Sequence, residues 1–156
     1  MLTFQHCDAY AVAMPPRPLS PEEISQWRNF RYMVEKTGLL VSRDMTSKTG
    51  LAAGEFAVLV LLSEAPGRTL RQRQLADLLR WDRTRLAHQL KRAEARGLVR
   101  RAKDSRVSMV RLTPHGAALL KKSLPIHAEA VREHFFSLLT ERQLKVLAEV
   151  ARLLDV

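Results

Sequence analysis

Between Leu70 and Leu112 the sequence is punctuated so closely that few folds accommodate it. Leu70, Leu75, Ala76 and Leu79 fall at helical spacing, the pattern breaks at Arg80-Trp81, and Asp82 follows as a good helix N-cap. The helix that Asp82 opens should end at Gly97, the residue type that takes up left-handed backbone just past a helix C-terminus. Leu98 to Arg101 and Met109 to Leu112 then read as two short strands, with Lys103 to Arg106 as the turn between them. Thr113-Pro114 restarts a helix, the threonine as cap and the proline at the first helical position. Two short helices joined by a tight turn and followed by a hairpin make a winged helix–turn–helix.

The flanks are helical. Ser20-Pro21-Glu22-Glu23 supplies a cap, an N1 proline and a capping-box glutamate, and Ile24, Trp27, Phe30, Arg31 and Val34 continue at helical spacing to about Asp44. Gly50 and Gly54 bracket a turn, and Phe56 to Leu62 reads as a buried helix stopped by Ala65-Pro66-Gly67. After Thr113 a long helix should be kinked or interrupted by Pro125, and Thr140-Glu141-Arg142-Gln143 caps a last helix. That helix carries Leu144, Leu147, Ala151 and Leu154, with Val146, Val150 and Leu153 adding apolar surface on other sides. A terminal helix with so much apolar surface points to pairing with another chain. The expected fold is mainly α with a small β-hairpin wing.

Charge says which partner such a fold would meet. The formal net charge is +10, and residues 68–111 hold fourteen Lys or Arg against four Asp or Glu, so the whole excess lies in one central segment. A localised excess of this size suits a polyanion, double-stranded DNA first among them. No apolar run approaches the roughly 20 residues of a membrane span, Met1 to Met14 does not read as a secretory leader, and the single cysteine fits a reducing cytoplasm. No membrane partner is expected.

Placed on a helical wheel, the segment after Asp82 turns Leu86, Leu90 and Ala93 to one side. Thr84, His88 and Lys91 lie opposite, with Arg83, Arg85, Ala87 and Arg92 around them. A face that is polar, basic and small near its N-terminal end suits a recognition helix, where arginine pairs with guanine and small side chains allow close approach. In the hairpin, Arg101, Lys103 and Arg106 surround one acid, Asp104. Arg106 is a candidate for the minor groove and Asp104 for holding its guanidinium. Arg71 and Arg73, at the start of the preceding helix, are candidate phosphate contacts.

These segments together resemble the MarR-type regulators, and actinobacterial members in particular. The resemblance is carried by Gln72-Arg73-Gln74-Leu75-Ala76-Asp77-Leu78-Leu79, by Trp81-Asp82-Arg83-Thr84-Arg85-Leu86-Ala87-His88 and by Glu94-Ala95-Arg96-Gly97-Leu98-Val99-Arg100-Arg101. It extends to Asp104-Ser105-Arg106 at the wing tip and Leu112-Thr113-Pro114-His115-Gly116 beyond it. Arg71 and Ala52 stand where the family usually has a Ser or Thr helix cap, and the hairpin is short for the family. The resemblance implies a homodimeric repressor on a palindromic operator, released by a small aromatic or anionic effector. It implies an arm at 1–19, a dimerisation helix at 20–50, a DNA-binding lobe at 51–113 and dimerisation helices at 114–156.

Other residues carry weaker expectations. Trp27, Phe30, Arg31 and Phe56 are candidates to line an effector pocket, against the plainer reading of aromatic core. Cys7, with Tyr10 near it in sequence, is a candidate redox sensor, though it precedes the proline-rich stretch Pro15 to Pro18. His6-Cys7-Asp8 lacks a second ligand pair, so no metal is expected, and no cofactor. His127 and His134, seven apart on one helical face, read as ordinary packing residues. Catalytic elbows, phosphate-binding glycine loops and paired-carboxylate motifs are absent, so no enzyme is expected. The competing readings are a winged helix bound to RNA or protein, and a regulator switched through Cys7.

Overall fold

The computed structural model describes residues 17–104 and 107–154. Its elements run α1 (Pro21–Thr49), α2 (Ala53–Glu64), β1 (Thr69–Arg71), α3 (Gln72–Leu79), α4 (Arg83–Ala95), β2 (Val99–Asp104), β3 (Val107–Leu112), α5 (Pro114–His134) and α6 (Glu141–Leu154). Short 3-10 turns occupy Pro66–Arg68 and Phe136–Leu138. The architecture is mainly α with one small antiparallel sheet of order β1-β3-β2. Among the described residues no single helix is long and apolar enough to cross a membrane.

The chain divides into two compact units, Met1–Val34 and Glu35–Val156. In the first, the capping box forms as the sequence predicts: Ser20 N donates to Glu23 Oε2 at 2.7 Å and Glu23 N to Ser20 Oγ at 3.2 Å. Arg17 adds an ion pair to Glu23, and these bonds hold the Glu23 carboxyl below the usual range, the Ser20 backbone bond first.

The second unit contains the core. Leu51, Val58, Leu59, Leu62, Leu75, Leu86, Leu90, Leu98 and Val110 are buried together, so α2, α3, α4 and the sheet meet in one cluster. Period two along β3 explains the sheet's part: Val110 and Leu112 point inward while Arg111 between them is exposed. Burying a side chain of this size contributes about 1.5–3 kcal/mol, which is why two helices as short as α3 and α4 hold their shape. Asp82 caps α4 through Arg85 N at 2.8 Å, and Thr113 caps α5 through Gly116 N at 2.9 Å. Gly97 follows α4 with φ +68°, in the left-handed region that glycine enters without strain. Thr140 and Gln143 form the capping box of α6.

Several expectations are corrected. The helix beginning at Pro21 runs to Thr49, beyond Asp44, and ends at Gly50 with φ +67°. Gly54 is not a turn residue. It lies in the first turn of α2, where a Cβ would stand 2.9 Å from the Gln89 side chain. Leu70 and Arg71, expected to begin the third helix, lie instead in a third strand, Thr69–Arg71, paired with Met109, Val110 and Arg111, and the helix starts at Gln72. The two hairpin strands are longer than expected, pairing as far as Asp104 with Val107. α5 continues through Pro125 without interruption. The proline removes one N–H, and the buried neighbours Leu120, Ser123 and Ala130 hold the helix across the gap.

Candidate nucleic-acid interface

The fold sorts the residues of α4 onto two sides. Leu86, Leu90 and Ala93 are buried, while Arg83, Thr84, Arg85, His88, Lys91 and Arg92 are exposed and Ala87 is half-buried. An open groove of about 420 Å³ is lined by Arg83, Thr84, Ala87, His88, Lys91 and, from the wing, Arg101. It thus gathers residues singled out separately on the helix and on the hairpin. Arg85 lies apart from it, its guanidinium carbon 4.4 Å from the centre of the Trp81 ring. Arginines in the first turn of a helix oppose the positive end of its dipole. Arg83 and Arg85 therefore do nothing for the helix that an acid would not do better.

A second open cavity, about 630 Å³, lies between the starts of α3 and α4 and the wing strand β3. Arg71, Arg73 and Arg83 reach it, together with Trp81, Asp82 and Val107. Neither Arg71 nor Ala52 supplies the side-chain cap that a Ser or Thr would. Each helix start is closed from the other end of the box, by Gln74 Oε1 accepting from Arg71 N and Glu55 Oε2 accepting from Ala52 N, both at 3.1 Å.

The base of the wing is fixed by a pair that spacing within one element could not reveal. Arg101 donates from Nε and Nη2 to Glu94 Oε2 at 2.8 and 2.6 Å, and its backbone N donates to Glu94 Oε1 at 3.0 Å. The Arg101 guanidinium, then its N–H, hold the Glu94 carboxyl below the usual range. Glu94 is thus the partner of Arg101 across the Gly97 turn, not simply a lone acid on a basic helix. Behind α4, Arg96 pairs at 2.5 Å with the fully buried Glu55 of α2. Arg111 ties β3 to β1 through Thr69 Oγ1 at 3.1 Å. In the hairpin, Lys103 faces Ser108 and Asp104 faces Val107 in the ladder. The side chains of Lys103 and Asp104 lie outside the described residues, as does all of Arg106.

The remaining candidates fall elsewhere. Trp27 and Phe30 are exposed on α1 and stack on each other at 5.9 Å, and Arg31 is exposed on the same helix. Phe56, on α2, stacks on His127 at 4.6 Å, and burial pushes the His127 imidazole below its ordinary value. Cys7, His6, Asp8 and Tyr10 lie outside the described residues. Asp44, Glu133 and His134 bring ligand-type atoms within 4.8 Å of one another. The 2.7 Å bond between His134 Nε2 and Asp44 Oδ2 accounts for that grouping, and it holds the Asp44 carboxyl below the usual range.

No protein-family model matches the chain, and no curated protein sequence does. Solved structures do. Sco3205, a MarR family transcriptional regulator from Streptomyces coelicolor crystallised in complex with DNA, is 33% identical, with 91% of each chain covered and a TM-score of 0.83. AbsC, a MarR family regulator from the same organism, is 31% identical over 90% of this chain and 96% of its own, with a TM-score of 0.81. A probable transcriptional regulator from Pseudomonas aeruginosa is 27% identical over 81% of this chain and 95% of its own, with a TM-score of 0.71. Fold and site together define a winged helix–turn–helix regulator of transcription. The chain belongs to the MarR family, as the resemblance in its sequence implies.

Proposed function

We propose that the chain is a homodimeric repressor that occupies a palindromic operator in double-stranded DNA and is released by a small aromatic or anionic effector. The observation that carries this reading is the groove on α4, where Arg83, Thr84, Ala87, His88 and Lys91 meet Arg101 around a half-buried alanine. Such a surface combines charge for phosphates with room for base edges. The DNA complex of the similar Sco3205 supports it.

In this reading 51–113 is the DNA-binding lobe, Arg71 and Arg73 hold phosphates, and Lys103, Asp104 and Arg106 work at the wing tip. The dimer is made by 20–50 and 114–156. Val146, Val150, Leu153 and Leu138 support that assignment, since they leave apolar surface exposed on one chain. Trp27, Phe30, Arg31 and Phe56 are the residues assigned to effector binding. The protein would work in the cytoplasm.

The test is selection of bound duplexes from a random pool, with excess RNA as competitor. The expected result is a palindrome with half-sites about one helical turn apart, bound despite the RNA and released steeply by salt. Repeating the selection with anionic aromatic compounds tests the effector, and light scattering tests the dimer. Absence of sequence enrichment, or equal competition by RNA, refutes the reading.

A further inference from the structure

We propose that Trp81 is a specificity-determining positioning residue, whose indole holds the Arg85 guanidinium ready for a guanine in each operator half-site. The inference rests on the reading above that α4 enters the major groove.

Three observations converge on it. The first is how the ring is held. Trp81 directly precedes the N-cap Asp82, is half-buried, and packs against the core cluster that contains Leu86. Residues before the cap and at the fourth helical position form a hydrophobic staple, and Trp81 and Leu86 occupy those two positions and line the same cavity. The ring is therefore part of the scaffold rather than a mobile surface group.

The second is how Arg85 is placed on it. Its backbone N is fixed by Asp82 at 2.8 Å and its guanidinium lies over the ring at 4.4 Å. A guanidinium held over an indole face, rather than by an acid, keeps N–H groups that can pair with guanine O6 and N7. A long side chain already restrained in this way loses less freedom on binding than one that must be ordered by the DNA.

The third is what Arg85 lacks. Arg96 and Arg101 are each paired with a glutamate. Among the described residues no ion pair involves Arg85, which is held by a neutral ring instead. Its charge is not cancelled by the element that positions it.

The experiment compares affinities for a set of duplexes carrying each of the four bases at every operator position. The proteins are the full chain, Arg85→Ala, Trp81→Leu, Trp81→Phe and the double variant Trp81→Leu/Arg85→Ala. The readout is the affinity ratio between duplexes, which does not depend on the fraction of protein folded. The full chain should prefer guanine at one position of each half-site by on the order of 5- to 150-fold, the range of a good bidentate pair. Arg85→Ala should abolish that preference. Trp81→Leu should reduce it at least threefold at that position alone, Trp81→Phe should keep most of it, and the double variant should match Arg85→Ala. A Trp81→Leu protein that keeps the full preference, or loses affinity equally for all duplexes, overturns the proposal while leaving DNA binding intact. So does an Arg85→Ala protein whose preferences are unchanged. A full chain that selects no duplex overturns this proposal and the function beneath it together.

Discussion

Replacing Arg96 by methionine isolates what the buried ion pair contributes. Glu55 is fully buried; its Oε2 accepts from Arg96 Nη1 at 2.5 Å and from Ala52 N at 3.1 Å. Its Oε1 has no hydrogen-bond partner among the described residues. Breaking a buried pair by removing one member typically costs about 3–5 kcal/mol, because the other charge is stranded. Here the cost is smaller. The Ala52 N–H remains, and the Arg96 side chain is 39% exposed, so water can enter where it was. We expect about 2–3 kcal/mol, which for a domain of this size lowers Tm by roughly 5–10 °C. The reverse change, Glu55→Gln, should cost only about 1 kcal/mol. Its amide oxygen still accepts from Ala52, and the freed guanidinium returns to solvent. Urea denaturation followed by circular dichroism measures both. An Arg96→Met cost no larger than that of Glu55→Gln would show that the acid is not the member that fails to rehydrate, and would refute this account of the pair.

Three further outcomes are expected. Gly116→Ala should destabilise by about 3 kcal/mol in the same assay, because its Cβ would stand 2.1 Å from the Leu98 carbonyl oxygen and 2.9 Å from Leu112 Cδ1. Stability should fall as pH drops below about 6.5, because the folded chain keeps His127 neutral while the unfolded chain protonates it. His127→Gln should flatten that part of a plot of urea midpoint against pH; Glu23, Asp44 and Glu94, whose carboxyls are held low, act only under more acidic conditions. Glu94→Ala should cost at most about 1 kcal/mol, since both partners are partly exposed. It should also free the Arg101 charge, raising affinity for arbitrary duplexes and steepening the dependence of log affinity on log salt by about one.

What could be read in the sequence was local. The caps at Ser20, Asp82, Thr113 and Thr140 each act over three residues, and all four form. They fix the element order, and the period of Leu86, Leu90 and Ala93 fixes which side of α4 turns inward. What could not be read depends on residues distant in the chain. β1 exists only because β3 pairs with it, through Leu70 and Val110. The continuity of α5 across Pro125 comes from packing, which outweighs one lost hydrogen bond. The same distinction divides the charges that first pointed to DNA. A count of fourteen basic residues treats Arg85, Arg96 and Arg101 alike. The fold pairs Arg96 with Glu55 and Arg101 with Glu94, while no ion pair among the described residues takes Arg83, Arg85, Lys91 or Arg92. Arg96, which holds the scaffold together, lies one turn from arginines presented to a partner, and the buried Glu55 tells it apart from them. Four of the fourteen basic residues, Arg83, Arg85, Lys91 and Arg92, therefore stand on the outer face of one helix outside any ion pair among the described residues. Removing any one of them should weaken DNA binding with little cost to folding, the opposite of what Arg96 should do.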